Sequence, residues 1–394
     1  MLAKTSLEVA DIFKVYGKRY IEKYRPCREQ LKVMKAITSC RTAALGSQSY
    51  ACTDCGNILQ VYHSCRNRHC PKCQYNAREK WLGERKNELL PIKYFHLIFT
   101  VPASLNEIAL FNKALFYDVL FSSVNYTLSI FSNDPKWMGA QYGAVAILHS
   151  WGQNLSFHPH LHVVVPAGGI SEDKMEWINT RKDFFAPVKA MSITFRKKFC
   201  SLLKSELNRR YLDRFSEELD KFGEIISASE KKPWVVFAQK PFKKPQYIID
   251  YLGNYTHRVA ISNFRLIKIE NGYVYFFYKD YKQGGKRKVT KLAALEFIRR
   301  FLQHVLPYRF CKIRYFGFLA NRFKQQNLAI ARQCLAQESN AKVILKQSVE
   351  KELSKISMQL ILFAGLCTCP CCGGEMVLLN QANQIIQPVI NNSS

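Results

Sequence analysis

His158, His160 and His162 stand at alternate positions in the run Phe157-His158-Pro159-His160-Leu161-His162-Val163-Val164-Val165-Pro166. Side chains repeat with period two on a strand, so these three imidazoles project from one face. Neutral imidazoles gathered on one face are ligands for a divalent ion, and three of them leave positions open for phosphate oxygens and water. A second constellation lies downstream in Tyr247-Ile248-Ile249-Asp250-Tyr251-Leu252-Gly253-Asn254-Tyr255. On a helix Tyr251 and Tyr255 are neighbours one turn apart, and Tyr247 falls on the same face. Such a stripe ordinarily packs into a core with its hydroxyls at the rim. Beside a metal it has another use. A tyrosine hydroxyl that attacks a DNA phosphorus forms a phosphotyrosine, frees a 3′ hydroxyl and stores the bond energy for rejoining.

Several elements must position these groups. Tyr94-Phe95-His96-Leu97-Ile98-Phe99-Thr100-Val101-Pro102 is β-rich and closed by proline, and a helical stretch follows from about Ser104 to Phe131. Tyr142 to His149 forms a second apolar strand, and a turn-rich Ser150 to Ser156 leads into the histidine strand. The two strands most simply pair as an antiparallel hairpin, which returns His149 toward the start of the histidine strand. His149 is then the expected third ligand beside His160 and His162, with His158 and Gln153 as competitors. Glu172 to Lys240 is charged and helix-rich, and is expected to pack around the sheet as an insertion.

The cysteines carry a different chemistry. Cys52-Thr53-Asp54-Cys55 and Cys70-Pro71-Lys72-Cys73 are two C-x-x-C knuckles, which together supply four thiolates for a closed tetrahedral zinc site. Cys40, His63, Cys65 and His69 lie in the same segment, so a different set of four or a second zinc stays open. Arg66 and Arg68 beside the knuckles suit phosphate contacts. A later cluster, Cys367-Thr368-Cys369-Pro370-Cys371-Cys372, has the form of a knuckle whose partner is missing.

The chain has 394 residues, 48% of them hydrophobic, which excludes a mostly disordered polymer and exceeds what one core usually organises. It carries 58 Lys and Arg against 30 Asp and Glu, a formal charge of +28 spread from Lys4 to Lys355. Such a field attracts polyanions, and nucleic acid fits best because basic stretches are interleaved with aromatics. Lys240-Pro241-Phe242-Lys243-Lys244 and Tyr278-Lys279-Asp280-Tyr281-Lys282 pair cations for phosphates with rings for unpaired bases. Arg258, just after the tyrosine pair, is a further candidate for DNA contact. The start of the chain lacks an apolar stretch of signal-peptide length and no apolar run reads as a membrane span, so a cytoplasmic, nucleoid-associated protein with reduced cysteines is expected.

The chain resembles the rolling-circle HUH transposases of the IS91 insertion-sequence type. The matching stretches include Cys40 to Gly46, Ser64 to Gln74, Gly152-Gln153-Asn154-Leu155-Ser156-Phe157-His158-Pro159-His160-Leu161-His162, and Tyr251 to Asn263. Phe297-Ile298-Arg299-Arg300-Phe301, His304-Val305-Leu306-Pro307 and Gly317 to Arg322 extend the match in order over nearly the whole chain. The resemblance implies that His160 and His162 form the histidine-hydrophobe-histidine metal pair, that Tyr251 and Tyr255 are the nucleophiles, and that Cys52 to Cys73 belong to a zinc-binding DNA-recognition module. It further implies magnesium or manganese at the histidines and single-stranded DNA at element ends and target as substrate. No G-x-x-x-x-G-K-[ST] loop is present, so a host helicase or replication would have to supply single strands.

These readings combine into an α+β protein in which an HUH antiparallel sheet is flanked by helices. Residues 1–90 would form the N-terminal helix and zinc module, 91–288 the nuclease domain, and 289–394 a basic, mainly helical region ending in the second cysteine cluster. Two rivals remain: a zinc-dependent, sequence-specific DNA-binding protein without nuclease activity, and a three-histidine metallohydrolase.

Overall fold

The hairpin expected around His149 and His160 is the centre of the molecule. In the computed structural model, which describes residues 7–180, 185–242, 253, 259–280, 283–338 and 368–379, it is reached from an N-terminal helical pair. Helices α1 (Val9–Tyr24) and α2 (Arg28–Ser39) each begin at a capping box. Asp11 accepts from the Glu8 amide at 3.0 Å and Gln30 from the Cys27 amide at 3.1 Å, which satisfies amides that a helix start leaves unpaired. Strands β1 (Ser47–Cys52) and β2 (Ile58–Tyr62) follow as a hairpin, and α3 (Gln74–Lys86) leads to the central sheet.

That sheet is built from β3 (Tyr94–Thr100), β4 (Gly143–Trp151), β5 (Phe157–Pro166), β8 (Val235–Phe242) and β12 (Ile313–Gly317), in the order β12-β4-β5-β3-β8 with every neighbour antiparallel. Period-two alternation gives it two distinct faces. Phe95, Leu97 and Phe99 of β3 join Leu161, Val163 and Val165 of β5 on the first, in the largest core cluster. Helices α4 (Asn106–Phe111), α5 (Lys113–Asn133), α6 (Val188–Tyr211) and α7 (Ser216–Glu230) supply the other side of that cluster. Each phenylalanine enclosed there contributes roughly 1.5–3 kcal/mol relative to exposure. On the second face Tyr94, Ile147 and Val164 pack against Leu82 of α3, and the histidines lie beside them.

The helical stretch expected over 104–131 is two helices broken at Asn112, whose side chain caps α5 by accepting from the Leu115 amide at 3.0 Å. By length and composition α5 could cross a membrane, but its apolar stripe from Leu115 to Phe131 is enclosed in the sheet's core. The charged segment after Glu172 contributes α6 and α7 to the same core. A small hairpin of β6 (Gly168–Ile170) and β7 (Trp177–Asn179) straddles the start of that segment.

A second antiparallel sheet contains β9 (Leu266–Glu270), β10 (Tyr273–Asp280) and β11 (Lys286–Ala293), with Gly284 and Gly285 at positive φ in the β10–β11 connection. Its inner side packs on α8 (Ala294–Leu302) and α1. The last described elements return to earlier ones. β12 edges the central sheet, α9 (Lys324–Glu338) packs on Phe318 and Trp177, and β13 (Met376–Leu379) adds to β1.

Candidate metal centres and DNA interface

His149 on β4 sits directly opposite His160 on β5, and one ring nitrogen each of His149, His160 and His162 come within 4.8 Å of one another. Their hydrogen bonds fix which nitrogen is available. The Nδ1–H of His160 donates to the carbonyl of His158 at 2.7 Å, so Nε2 carries the lone pair. Behind His162 runs a relay of two bonds. His96 Nδ1–H donates to Gln239 Oε1 at 3.3 Å, which leaves His96 Nε2 to accept from His162 Nδ1–H at 3.0 Å. His162 Nε2 is thereby also the unprotonated nitrogen of its ring, 3.2 Å from Nε2 of His160. Two lone pairs at that separation repel unless a cation lies between them, and donation of the other ring N–H to a fixed acceptor is how ligating histidines are commonly oriented. Burial holds His96 and His160 neutral, each pushed down to about 4. His158, one competing third ligand, is outside this group of three, and the backbone carbonyl of the other, Gln153, accepts from Arg265.

The β4–β5 loop that aligns the two strands is stapled from α8. The Leu155 carbonyl, at a residue with φ of 62°, accepts from Gln303 at 3.1 Å and His304 at 3.2 Å, and Arg300 donates to the Asn154 carbonyl. His304 is buried, accepts from the Ser150 hydroxyl at 3.2 Å, and is held neutral by burial, down to about 3.

Tyr251 and Tyr255 lie outside the described residues, as do Lys243, Lys244 and Arg258. Gly253, the residue midway between the two tyrosines, is described: it is helical and buried, and a Cβ there would meet Leu82 at 2.5 Å. A larger residue there would require the Leu82 side chain to shift. Leu82 packs with Ile147 and Val164, so position 253 is on the histidine face of the sheet.

The cysteines are partitioned differently from the sequence expectation. Cys52, Cys55, Cys70 and Cys73 are not brought together as one set. Cys70 and Cys73 converge with Cys40 and Cys65, whereas Cys52 and Cys55 converge with Cys369 and Cys372. In the first group the sulfurs of Cys40 and Cys65 lie 3.5 and 3.6 Å from that of Cys73; in the second, Cys52 is 3.4 Å from Cys372 and Cys55 is 3.6 Å from Cys369. Four thiolates about 2.3 Å from one zinc require separations of this order. The physical reason is the pairing of β13 with β1, which sets Met376 opposite Cys52 and delivers the later knuckle to the earlier one. Amides of Cys371 and Gly374 donate to Cys369 and Cys372 sulfurs at 3.4 Å, as expected of thiolate acceptors. The other nearby candidates are placed elsewhere. His63 is exposed, and half-buried His69 accepts from the Leu306 amide at 3.4 Å. Cys371 is exposed and outside the set, and Cys367 is not among the described residues.

Residues 143–327 match a family described as a putative transposase, and residues 12–101 match a transposase zinc-binding domain of the IS91 type. The chain is 47% identical over 340 residues to the putative transposase y4qJ of Sinorhizobium fredii, covering 85% of each protein. It is an IS91-family transposase. The transposase for insertion sequence element IS801 of Pseudomonas savastanoi pv. phaseolicola is 28% identical over 315 residues, covering 76% of this chain and 72% of that one. No solved structure matches. Membership implies DNA strand transfer, and the zinc-domain match together with the cysteine groups supports bound zinc.

Of the arginines expected at DNA in this transposase, Arg66 is exposed beside the first cysteine group. Arg68 is committed elsewhere: its guanidinium donates to the carbonyls of Pro307 and Phe310, tying the knuckle to the segment before β12. Sequence reasoning passed over His96, Gln239 and His304. For His96 a signal existed, since a histidine between Phe95 and Leu97 in an apolar strand must face away from the core that they enter. Gln239 and His304 carry no local signal.

Proposed function

We propose that this transposase cleaves and rejoins single-stranded DNA at the ends of a rolling-circle insertion sequence through a 5′-phosphotyrosine intermediate. The observation that carries the reading is the convergence of three histidine nitrogens, two of them with lone pairs 3.2 Å apart, on the face that also receives Gly253. His149, His160 and His162 would hold the ion. Magnesium or manganese is the working assignment, although an all-imidazole set also suits other divalent metals. When bound, it would polarise a phosphoryl oxygen and neutralise charge developing there.

In the proposed step the hydroxyl oxygen of Tyr251 or Tyr255 bonds to phosphorus, and the bond from phosphorus to the 3′ oxygen breaks. The proton lost by tyrosine is balanced by the one gained at the liberated 3′ hydroxyl. Reversal with a different 3′ end joins donor to target, and paired tyrosines allow each to retain one strand. The relay from Gln239 through His96 would keep His162 in the tautomer that presents Nε2. Residues 1–90 would recognise DNA, 91–288 perform the chemistry, and 289–394 brace both. Single strands would come from a host helicase or from replication at the nucleoid.

The test is incubation with end-labelled single-stranded DNA and magnesium or manganese, followed by denaturing electrophoresis. A protein-DNA adduct is expected, lost in the Tyr251→Phe/Tyr255→Phe double variant and in His160→Ala. Cleavage without an adduct would favour a three-histidine hydrolase. Binding without cleavage under any metal would favour a recognition protein.

A further inference from the structure

We infer that the outer face of the β9–β10–β11 sheet is a stacking platform for single-stranded DNA leading to the histidine centre. The inference rests on the DNA-processing role proposed above. Alternation divides this sheet sharply. Leu266, Val274 and Phe276 point inward and are buried, with the Phe276 ring 5.9 Å from that of Phe297 on α8. Tyr273, Tyr275 and Phe277, at the intervening positions of β10, form a row on the opposite face, where Tyr273 is 41% exposed and Val289, opposite Phe277, is 54% exposed.

Cations accompany each ring of the row. The Arg287 guanidinium lies 3.5 Å from the centre of Phe277, Lys291 lies 4.9 Å from Tyr273 and 6.0 Å from Tyr275, and Lys268 lies 5.1 Å from Tyr275. The acidic partner on this face is Glu270, paired with Lys268 at 2.8 Å. An apolar partner protein would leave these cations buried and unmatched. Duplex DNA would offer them phosphates but no base faces. Unpaired bases meet both requirements: they stack on the rings, and the flexible basic heads move onto the adjoining phosphates.

The platform is connected to the site. Arg265, just before β9, donates to the Phe277 carbonyl at 2.7 Å and to the carbonyl of Gln153 in the β4–β5 loop. A strand lying along Tyr273 to Phe277 is thereby held at a fixed distance from the loop that precedes the histidines.

The test measures binding of a fluorescently labelled oligothymidylate 20-mer and of a duplex of equal length to the full chain, without added magnesium. Tyr273→Ala/Tyr275→Ala/Phe277→Ala should weaken oligothymidylate binding at least tenfold, leave duplex binding within twofold, and keep the slope of log affinity against log salt. Arg287→Ala/Lys291→Ala should instead lower that slope by about 1.4. Tyr273→Phe/Tyr275→Phe should bind like the parent protein, because rings rather than hydroxyls carry the contact. Unchanged oligothymidylate affinity in the triple variant overturns the platform, as does equal loss for single strand and duplex. If the triple variant does not fold, an unchanged salt slope and affinity in Arg287→Ala/Lys291→Ala overturn it. Adduct formation by the parent protein is scored separately. Its absence while the stacking signature persists counts against the phosphotyrosine reading and leaves the platform standing.

Discussion

Two unprotonated imidazole nitrogens at 3.2 Å characterise the candidate site more sharply than the number of histidines does. They are forced by neighbours: the His158 carbonyl commits one ring, and His96, itself committed by Gln239, commits the other. His96→Leu should therefore keep the fold while weakening manganese binding, measured by titration calorimetry, by about 10–100-fold. Unaltered affinity would remove His96 from the positioning role. At this scale the sequence was partly legible. Alternation along β5 put His160 and His162 on one face, and the hairpin argument returned His149 toward the start of the histidine strand; the register that sets it opposite His160 came only with the fold. Gln239 could not be found, because its relevance comes from β8 pairing with β3 rather than from local spacing. Arg68 misled for a related reason: a basic side chain beside a knuckle looks available for phosphate until the carbonyls it serves, 239 and 242 residues away, are known.

Among the elements, the cysteine knuckles show most clearly where pattern and packing part. Two C-x-x-C motifs close in sequence suggest one site, but the β1–β2 hairpin separates them in space and β13 brings Cys369 and Cys372 to Cys52 and Cys55. Loop closure cost grows only slowly with length, so a distant partner is thermodynamically ordinary. We expect two zinc ions per chain by mass spectrometry, falling to one in Cys369→Ser/Cys372→Ser, with β13 becoming sensitive to limited proteolysis. Cys40→Ser should be worse, because its group lies within the core cluster containing α1, α2 and α8. A single zinc in the parent protein would refute this partition. Strand β3 and the β4–β5 hairpin were legible from apolar runs ended by turns, whereas β8, β12 and β13, which join through distant pairings, were not. The break at Asn112 was not, since apolar periodicity continues through it and only the capping hydrogen bond reveals it.

Taken whole, the molecule encloses neutral histidines in several places while carrying a net charge of +28. Burial holds His69 and His304 down to about 3 and His96 and His160 to about 4. In the unfolded chain each titrates near 6.5, so below that pH the unfolded state binds more protons and stability falls with falling pH. The loss is complete only once pH passes the depressed native values. For His304 alone it amounts to about 2 kcal/mol at pH 5. The Glu296 carboxyl, held near 2 by Arg299 and Arg300, weakens only at lower pH. Thermal unfolding, with zinc retention monitored, should show a midpoint declining from about pH 6.5. An onset near pH 4.5 would assign acid sensitivity to carboxylates instead.

The meeting of Cys52 with Cys372 spans 320 positions. Synthesis at about 5–20 residues per second makes the nascent hairpin wait roughly 16–64 s for its second pair of thiolates. A translation product interrupted before Cys369 thus has a finished first cysteine group and a half-made second one, with β1 an open edge that β13 would otherwise cover. Full-length synthesis itself becomes the event that seals the zinc-binding module, and prematurely terminated copies are left marked by an unpaired strand and two spare thiols.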